Sequence, residues 1–128
     1  KIMTDTKSFF GQMPGVPLSG AVRAGDFIFV SGQVPFDKHG KLVKGDIKTQ
    51  TLIVMERIQG LLDEAGCHMD DIVKCNCWLE DEADFEGFND VYKSFFSRNP
   101  PARATVKAQL MVDAKVEVDA TAWKPLHN

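Results

Sequence analysis

A chain of 128 residues with 44% hydrophobic and 26% charged side chains has the make-up of one globular domain with a single core. Its net charge of −3 and pI of about 5.5 leave no electrostatic footprint for nucleic acid or an anionic membrane surface. Three cysteines, Cys67, Cys75 and Cys77, do not suit a disulfide framework; reduced thiols and a cytoplasmic setting are the simpler reading. No apolar run approaches the roughly 18 residues of a membrane span. The first residues, KIMTDTKSFFGQMPG, lack the apolar centre of a signal peptide.

No repeat, linker or low-complexity tract divides the chain, so residues 1–128 are read as one domain. Residues 1–17 read as a loop-like N-terminal segment punctuated by Gly11, Pro14, Gly15 and Pro17. The stretch LSGAVRAGDFIFVSGQVP then gives two short strands about a turn at Ala24-Gly25-Asp26. A polar loop follows, with a small hairpin expected around His39-Gly40.

Asp46 to Ala65 is the clearest helix. Ile47, Thr51, Val54, Ile58, Leu61, Leu62 and Ala65 form one apolar stripe. Asp46 is placed to cap its start and Gly66 to end it. Residues 71–80 read as a strand with Val73, Cys75, Cys77 and Leu79 on one face, and Ile72, Lys74, Asn76 and Trp78 on the other. A second helix is predicted from Asp84 to Phe96, ended by Asn99, Pro100 and Pro101. Two last strands, about 103–112 and 115–122, are read as a hairpin turning near Asp113.

The order β-β-α-β-α-β-β predicts an α+β domain, a mixed β-sheet with two helices on one face. The other face needs cover that the chain itself lacks, which points to oligomerisation.

Few residues suggest chemistry. Cys75 and Cys77 share a strand face near His68, but no second ligand pair completes a metal site, and core packing is the plainer reading. No nucleophile elbow, phosphate loop or zinc-protease motif is present. His39, His68 and His127 read as surface residues. Arg103 follows Pro-Pro-Ala, where a stiff backbone can aim a guanidinium fork at a carboxylate. Glu117 lies in the expected partner strand. On spacing alone, the plainer reading is a surface arginine at a strand end and an exposed or salt-bridged glutamate.

The segments SGQVPFDKHGKLV, ADFEGFNDVYKSFF and PPARATVKAQL followed by KVEVDATA resemble the RidA (YjgF, UK114, L-PSP) family, from about Leu18 to Trp123. The resemblance implies a chorismate-mutase-like α+β fold and a homotrimer whose sheets form a central barrel, with ligand clefts between subunits. It also implies a cofactor-independent deaminase that hydrolyses reactive 2-enamines and 2-imino acids, such as 2-aminoacrylate, to 2-keto acids and ammonia. By motif position, Arg103 would clamp the substrate carboxylate and Glu117 would position or activate water. Ser31, Gly32, Asn89, Tyr92 and the backbone at Thr105 would line the pocket, with Leu18 at its N-terminal side.

There are departures from the family's best-known branch. That branch carries a cysteine at Thr105 and a tyrosine at Leu18, and the segment between Arg103 and Glu117 is one residue shorter here. These differences favour a more apolar pocket. They keep two alternatives open: a pathway-specific deaminase of the aminomuconate or pyrimidine-catabolism type, and a non-catalytic trimer binding small carboxylates. A ribonuclease role, attached to some relatives, fits poorly with the acidic charge and the lack of converging His and Lys side chains.

Overall fold

The structure, a computed structural model, describes residues 7–126. Strands β1 (Lys7–Phe10), β2 (Ala21–Ala24) and β3 (Phe27–Gln33) come first, followed by helix α1 (Ile47–Glu64). Strand β4 (Ile72–Leu79), helix α2 (Phe85–Tyr92), strand β5 (Ala102–Lys107) and strand β6 (Val116–Trp123) complete the domain. The six strands form one mixed sheet in the order β1-β2-β3-β6-β4-β5.

Helix α1 forms where its stripe places it. The Asp46 carboxylate accepts from the Thr49 amide at 2.8 Å, satisfying one of the free N–H groups of the first turn. Gly66 ends the helix at φ +79°, and the Cys67 amide donates back to the Leu62 carbonyl at 2.8 Å. The buried stripe is Ile47, Gln50, Thr51, Val54, Met55, Ile58 and Leu62. Gln50 is polar yet buried because its amide serves two loops: Nε2 donates to the Val43 carbonyl and Oε1 accepts from the Lys115 amide.

The core lies between the helices and one sheet face. From β6 it takes Val116, Val118, Ala120 and Ala122, and from β4 it takes Cys75, Cys77 and Leu79. Phe88 and Tyr92 of α2 cover the β4 side, with ring centroids 5.3 Å apart. The opposite sheet face carries Phe9, Phe27, Phe29 and Trp123, each between 42% and 53% exposed. Nothing among the described residues covers these rings fully. No helix of the described residues is long and apolar enough to cross a membrane.

The fold departs from expectation in four places, three of them in the sheet. Residues 7–10, expected as loop, form edge strand β1 against β2. KSFF is short, half-exposed and without alternation, so only pairing reveals it. The expected 103–112/115–122 hairpin is absent. β5 instead runs parallel to β4 through the α2 crossover, and β6 enters antiparallel between β3 and β4. In β4, a register shift between Ile72 and Lys74 turns Ile72 into the core and leaves Val73 exposed, reversing the expected faces at that end. The second helix also stops at Tyr92 and tightens into a 3-10 turn at Lys93–Phe95.

These contacts set two expected stabilities in denaturant unfolding. Asp46→Ala loses the cap and about 1 kcal/mol. Phe88→Ala leaves a cavity under the sheet and loses about 3–5 kcal/mol. An Asp46→Ala chain as stable as the parent would remove the capping account.

Candidate functional site

Arg103 stands on β5 opposite Cys75 of β4, so it faces the helix side of the sheet. Its guanidinium carbon lies 5.6, 5.5 and 5.0 Å from the ring centroids of Phe85, Phe88 and Tyr92. Nη1 donates to Asn89 Oδ1 at 2.8 Å. Among the described residues, no carboxylate lies within ion-pair distance of it. The charge is therefore met by π faces and one neutral amide, and the remaining guanidinium N–H groups are available. A cleft of about 510 Å³, bounded by Asn89, Tyr92, Phe96, Pro100 and Pro101, opens at this arginine. It is shaped and charged to receive a small carboxylate.

Behind Arg103 the surroundings are dry. Burial pushes the Cys75 thiol up to about 11 and the Cys77 thiol up to about 12. Both stay protonated at neutral pH and offer no nucleophile. Burial likewise raises the Tyr92 phenol. The hydroxyls of Tyr92 and Thr105 are enclosed without a hydrogen-bond partner among the described residues. Cys75 and Cys77 are core residues, while His68 is exposed beyond the helix end. No group of three or more His, Cys, Asp or Glu side chains among the described residues is placed to hold a metal.

Glu117 sits in a second, separate place. It lies opposite Trp78 on the sheet face away from the helices. A Cβ built on Gly32 would lie 2.1 Å from Glu117 Oε2 and 3.0 Å from its Cδ. The carboxylate thus occupies the space that any larger residue at position 32 would need. Gly32 belongs to the register shift between Val30 and Gln33 of β3, a bulge that aims the backbone at Glu117. Burial, and then the charge of Asp119, hold the Glu117 carboxyl above its ordinary value. Asp119 is itself fixed by the Asn76 amide at 2.9 Å and the Asn76 side chain at 3.2 Å.

The bulge is braced from several sides. The Ser31 amide donates to the Gly20 carbonyl at 2.9 Å, and its hydroxyl donates to the Ser19 carbonyl at 2.6 Å. Gln33 Nε2 donates to the Ser31 carbonyl at 3.0 Å. Arg57 of α1 then donates to Gln33 Oε1 at 3.1 Å and to the Phe36 carbonyl at 3.2 Å. Gln33 and Arg57 were not among the residues expected at the site. The glutamine of the S-G-Q motif was a usable signal; Arg57, a polar residue on an ordinary helix, offered none.

The residues expected at one site therefore fall into two groups. Arg103, Asn89, Tyr92 and Thr105 gather at the β5 edge on the helix side. Glu117, Ser31 and Gly32 gather around the β3 bulge, with Leu18 exposed on the segment leading into β2. β4 separates β5 from β6, and the Arg103 and Glu117 side chains emerge on opposite faces. With the expected hairpin absent, the two residues do not lie on paired strands.

The family model described as Endoribonuclease L-PSP matches residues 12–124. The chain belongs to this family, also called RidA or YjgF. A RutC family protein of Pyrococcus abyssi is 44% identical over 110 residues, covering 84% of this chain and 87% of that protein. The crystal structure of yeast Mmf1 superposes with a TM-score of 0.88 at 30% identity, covering 93% of this chain and 99% of that one. RidA from an Antarctic Psychrobacter superposes at 0.82 and 33% identity, covering 87% and 91%. The mixed six-stranded sheet with two helices is thus the RidA-family fold.

The Gly32–Glu117 contact in this RidA-family chain has a direct test. Gly32→Ala drives the carboxylate off the bulge and into water. Its pKa is then expected to fall back toward the ordinary 4.5, read by carbon-13 NMR titration of the glutamate side chains. An unmoved titration would show that the two groups do not share that space.

Proposed function

We propose that this protein is a cofactor-independent deaminase of 2-imino acids and their enamine tautomers, working at clefts shared between copies of the chain in a homotrimer. The observation that carries this is the split site. An arginine without a carboxylate partner opens on one surface, and a carboxylate with a raised pKa stands on another. Each is half of a carboxylate-binding, water-activating site. Two copies brought together supply both halves, and the exposed Phe9, Phe27, Phe29 and Trp123 give such copies a reason to associate.

The chemistry asks little of the protein. A 2-imino acid already carries an electrophilic carbon. Arg103, held rigid by three rings and Asn89, receives the substrate carboxylate and fixes where that carbon lies. Glu117 of a second copy takes a proton from water as the water oxygen bonds to the imine carbon. The nitrogen becomes an amine, and Glu117 returns its proton there. Glu117 then takes the proton of the new hydroxyl and passes it to the amine; the C–N bond breaks, its electron pair leaves with ammonia, and the C=O of a 2-keto acid forms. An enamine substrate first takes a proton at its β-carbon to become the imine. A positioned base of this kind contributes typically about 10²–10⁴-fold. The printed name of the family model says endoribonuclease. Glu117 and Asp119 put two carboxylates side by side on this sheet face, which disfavours a phosphate backbone there and favours the small-molecule reading.

Subunit mixing tests this reading. Arg103→Ala and Glu117→Gln chains are each expected to lose at least about 100-fold of the hydrolysis of in situ generated 2-iminopropanoate. Co-refolded in equal amounts, they are expected to recover activity at about a quarter of the sites, since some clefts then join two intact halves. No recovery on mixing would remove the shared cleft. No hydrolysis by the parent chain would remove the deaminase reading in favour of a binding trimer.

The pH profile follows from the same residue. Glu117 acts as a base only when deprotonated, and its pKa is raised. kcat/KM is therefore expected to fall as pH drops through a midpoint above 4.5. Asp119→Asn removes one cause of the shift and is expected to move that midpoint down. A midpoint unmoved by Asp119→Asn would show that another group sets the limb.

A further inference from the structure

Helix α2 is only eight residues long, and one of them is Gly87. A helix so short has little stability of its own, and an interior glycine lowers it further relative to alanine. Yet four of its residues, Phe85, Phe88, Asn89 and Tyr92, make the cage around Arg103. The placement of that cage must therefore come from what α2 packs on.

It packs on the first turn of α1. A Cβ built on Gly87 would lie 2.7 Å from Ile47 Cγ2 and 3.7 Å from Lys48 Cγ. One turn on, Asp90 Oδ2 meets Lys48 Nζ at 3.5 Å. Gly87 and Asp90, three residues apart, thus hold one side of α2 against α1. Ile47 has little freedom to give way. It is β-branched and stiff at χ1, it belongs to the core, and the Asp46 cap fixes the turn on which it stands. Gly60, inside α1, is different in kind, because a Cβ there would meet nothing within 4 Å. Arg103 does not travel with α2. Its backbone is fixed in β5, opposite Cys75 of β4. How closely α2 sits on Ile47 therefore sets how the rings and Asn89 meet the guanidinium.

We infer that Gly87 is a positioning residue for the carboxylate clamp: with no side chain there, α2 seats on Ile47 at the depth where its cage aims Arg103 into the cleft. The inference rests on the reading of Arg103 as the group that receives the substrate carboxylate. With a Cβ at position 87, restoring an ordinary carbon contact of about 3.5–4.0 Å pushes α2 back by about 1 Å. Phe85, Phe88, Asn89 and Tyr92 move with it, while Arg103 keeps its place on β5. A misplacement of that size costs up to about 100-fold in rate. Glu117, on the other face of the sheet, is untouched.

Proton NMR reads the cage without any reaction. Aromatic faces shift the side-chain protons of Arg103 upfield, and Arg103→Ala identifies those signals by their loss. Gly87→Ala is expected to move them toward the positions of an open arginine. Ile47→Leu in the same chain removes the Cγ2 methyl with volume conserved, and is expected to bring them back. Gly60→Ala adds the same atom where nothing meets it, and is expected to leave them unmoved. With in situ generated 2-iminopropanoate, kcat/KM in Gly87→Ala is expected to fall about 10–100-fold. The midpoint of the low-pH limb is expected to stay where Glu117 sets it, and Ile47→Leu to restore the rate.

Arg103 signals unmoved in Gly87→Ala, or moved as far in Gly60→Ala, would overturn the inference and leave the deaminase reading standing. So would a moved cage with the parent's kcat/KM, or a loss that Ile47→Leu does not restore. Should Gly87→Ala fail to fold, the double variant decides: parent signals uphold the seat on Ile47, and displaced or missing ones end it. If the parent chain hydrolyses no imine, the deaminase reading falls, and calorimetric titration with pyruvate decides the clamp instead. Binding about 10-fold weaker in Gly87→Ala would uphold the positioning role. Equal binding by the two chains, or none by the parent, would overturn it.

Discussion

The position of β6 governs this molecule. It is the strand that both β3 and β4 pair with, and its alternate side chains Val116, Val118, Ala120 and Ala122 are the floor on which α1 rests. Because side chains alternate, burying those four turns Glu117, Asp119, Thr121 and Trp123 to the other face. Glu117 could not be moved to the helix side without ejecting the whole apolar set. The same insertion pushes β5 to the sheet edge, where Arg103 meets α2 rather than β6. The separation of the arginine from the glutamate is thus a consequence of how the core is filled.

The two charged groups are stabilised by different means. Arg103 lies over aromatic faces and against an amide oxygen, an arrangement that holds the guanidinium in place without neutralising it. Glu117 rests against backbone where a side chain is missing, with a second carboxylate nearby. An arginine of this kind seeks an anion, and a carboxylate so placed accepts a proton more readily than one in water. Neither has an ion-pair partner among the described residues.

The reading of α1 from sequence was sound because three independent signals agreed: a long stripe, a capping aspartate and a terminal glycine. Edge strand β1 gave no such agreement, since four residues with three exposed carry no periodicity. The hairpin error has a different cause. β5 and β6 are close in sequence and both extended, and a pattern of alternation does not say whether neighbours in sequence are neighbours in the sheet. The direction of Arg103 was legible in part from the Pro-Pro before it. Its cage of rings came from α2, of whose aromatics only Tyr92 had been expected at the pocket, and that from the family resemblance. The brace from Arg57 through Gln33 to Ser31 joins residues 24 apart and left no local trace. The roles assigned to Ser31, Gly32, Asn89 and Tyr92 came from family resemblance, and the structure adds why Gly32 must be a glycine.

The central placement of β6 also bears on how the chain reaches this state. Phe27 pairs with Trp123 and Ala21 is packed under a sheet that closes only at residues 116–123. Until those residues are made, β3 and β4 each present an open edge, and the apolar side of α1 has no floor. Such long-range pairing is slow, because loop closure must precede the contacts that reward it. A nascent chain therefore passes through a stage with two adhesive strand edges exposed. The residues that finish the sheet are the same ones that carry Glu117, so a molecule that has set this carboxylate in place has also sealed the edges most prone to aggregate.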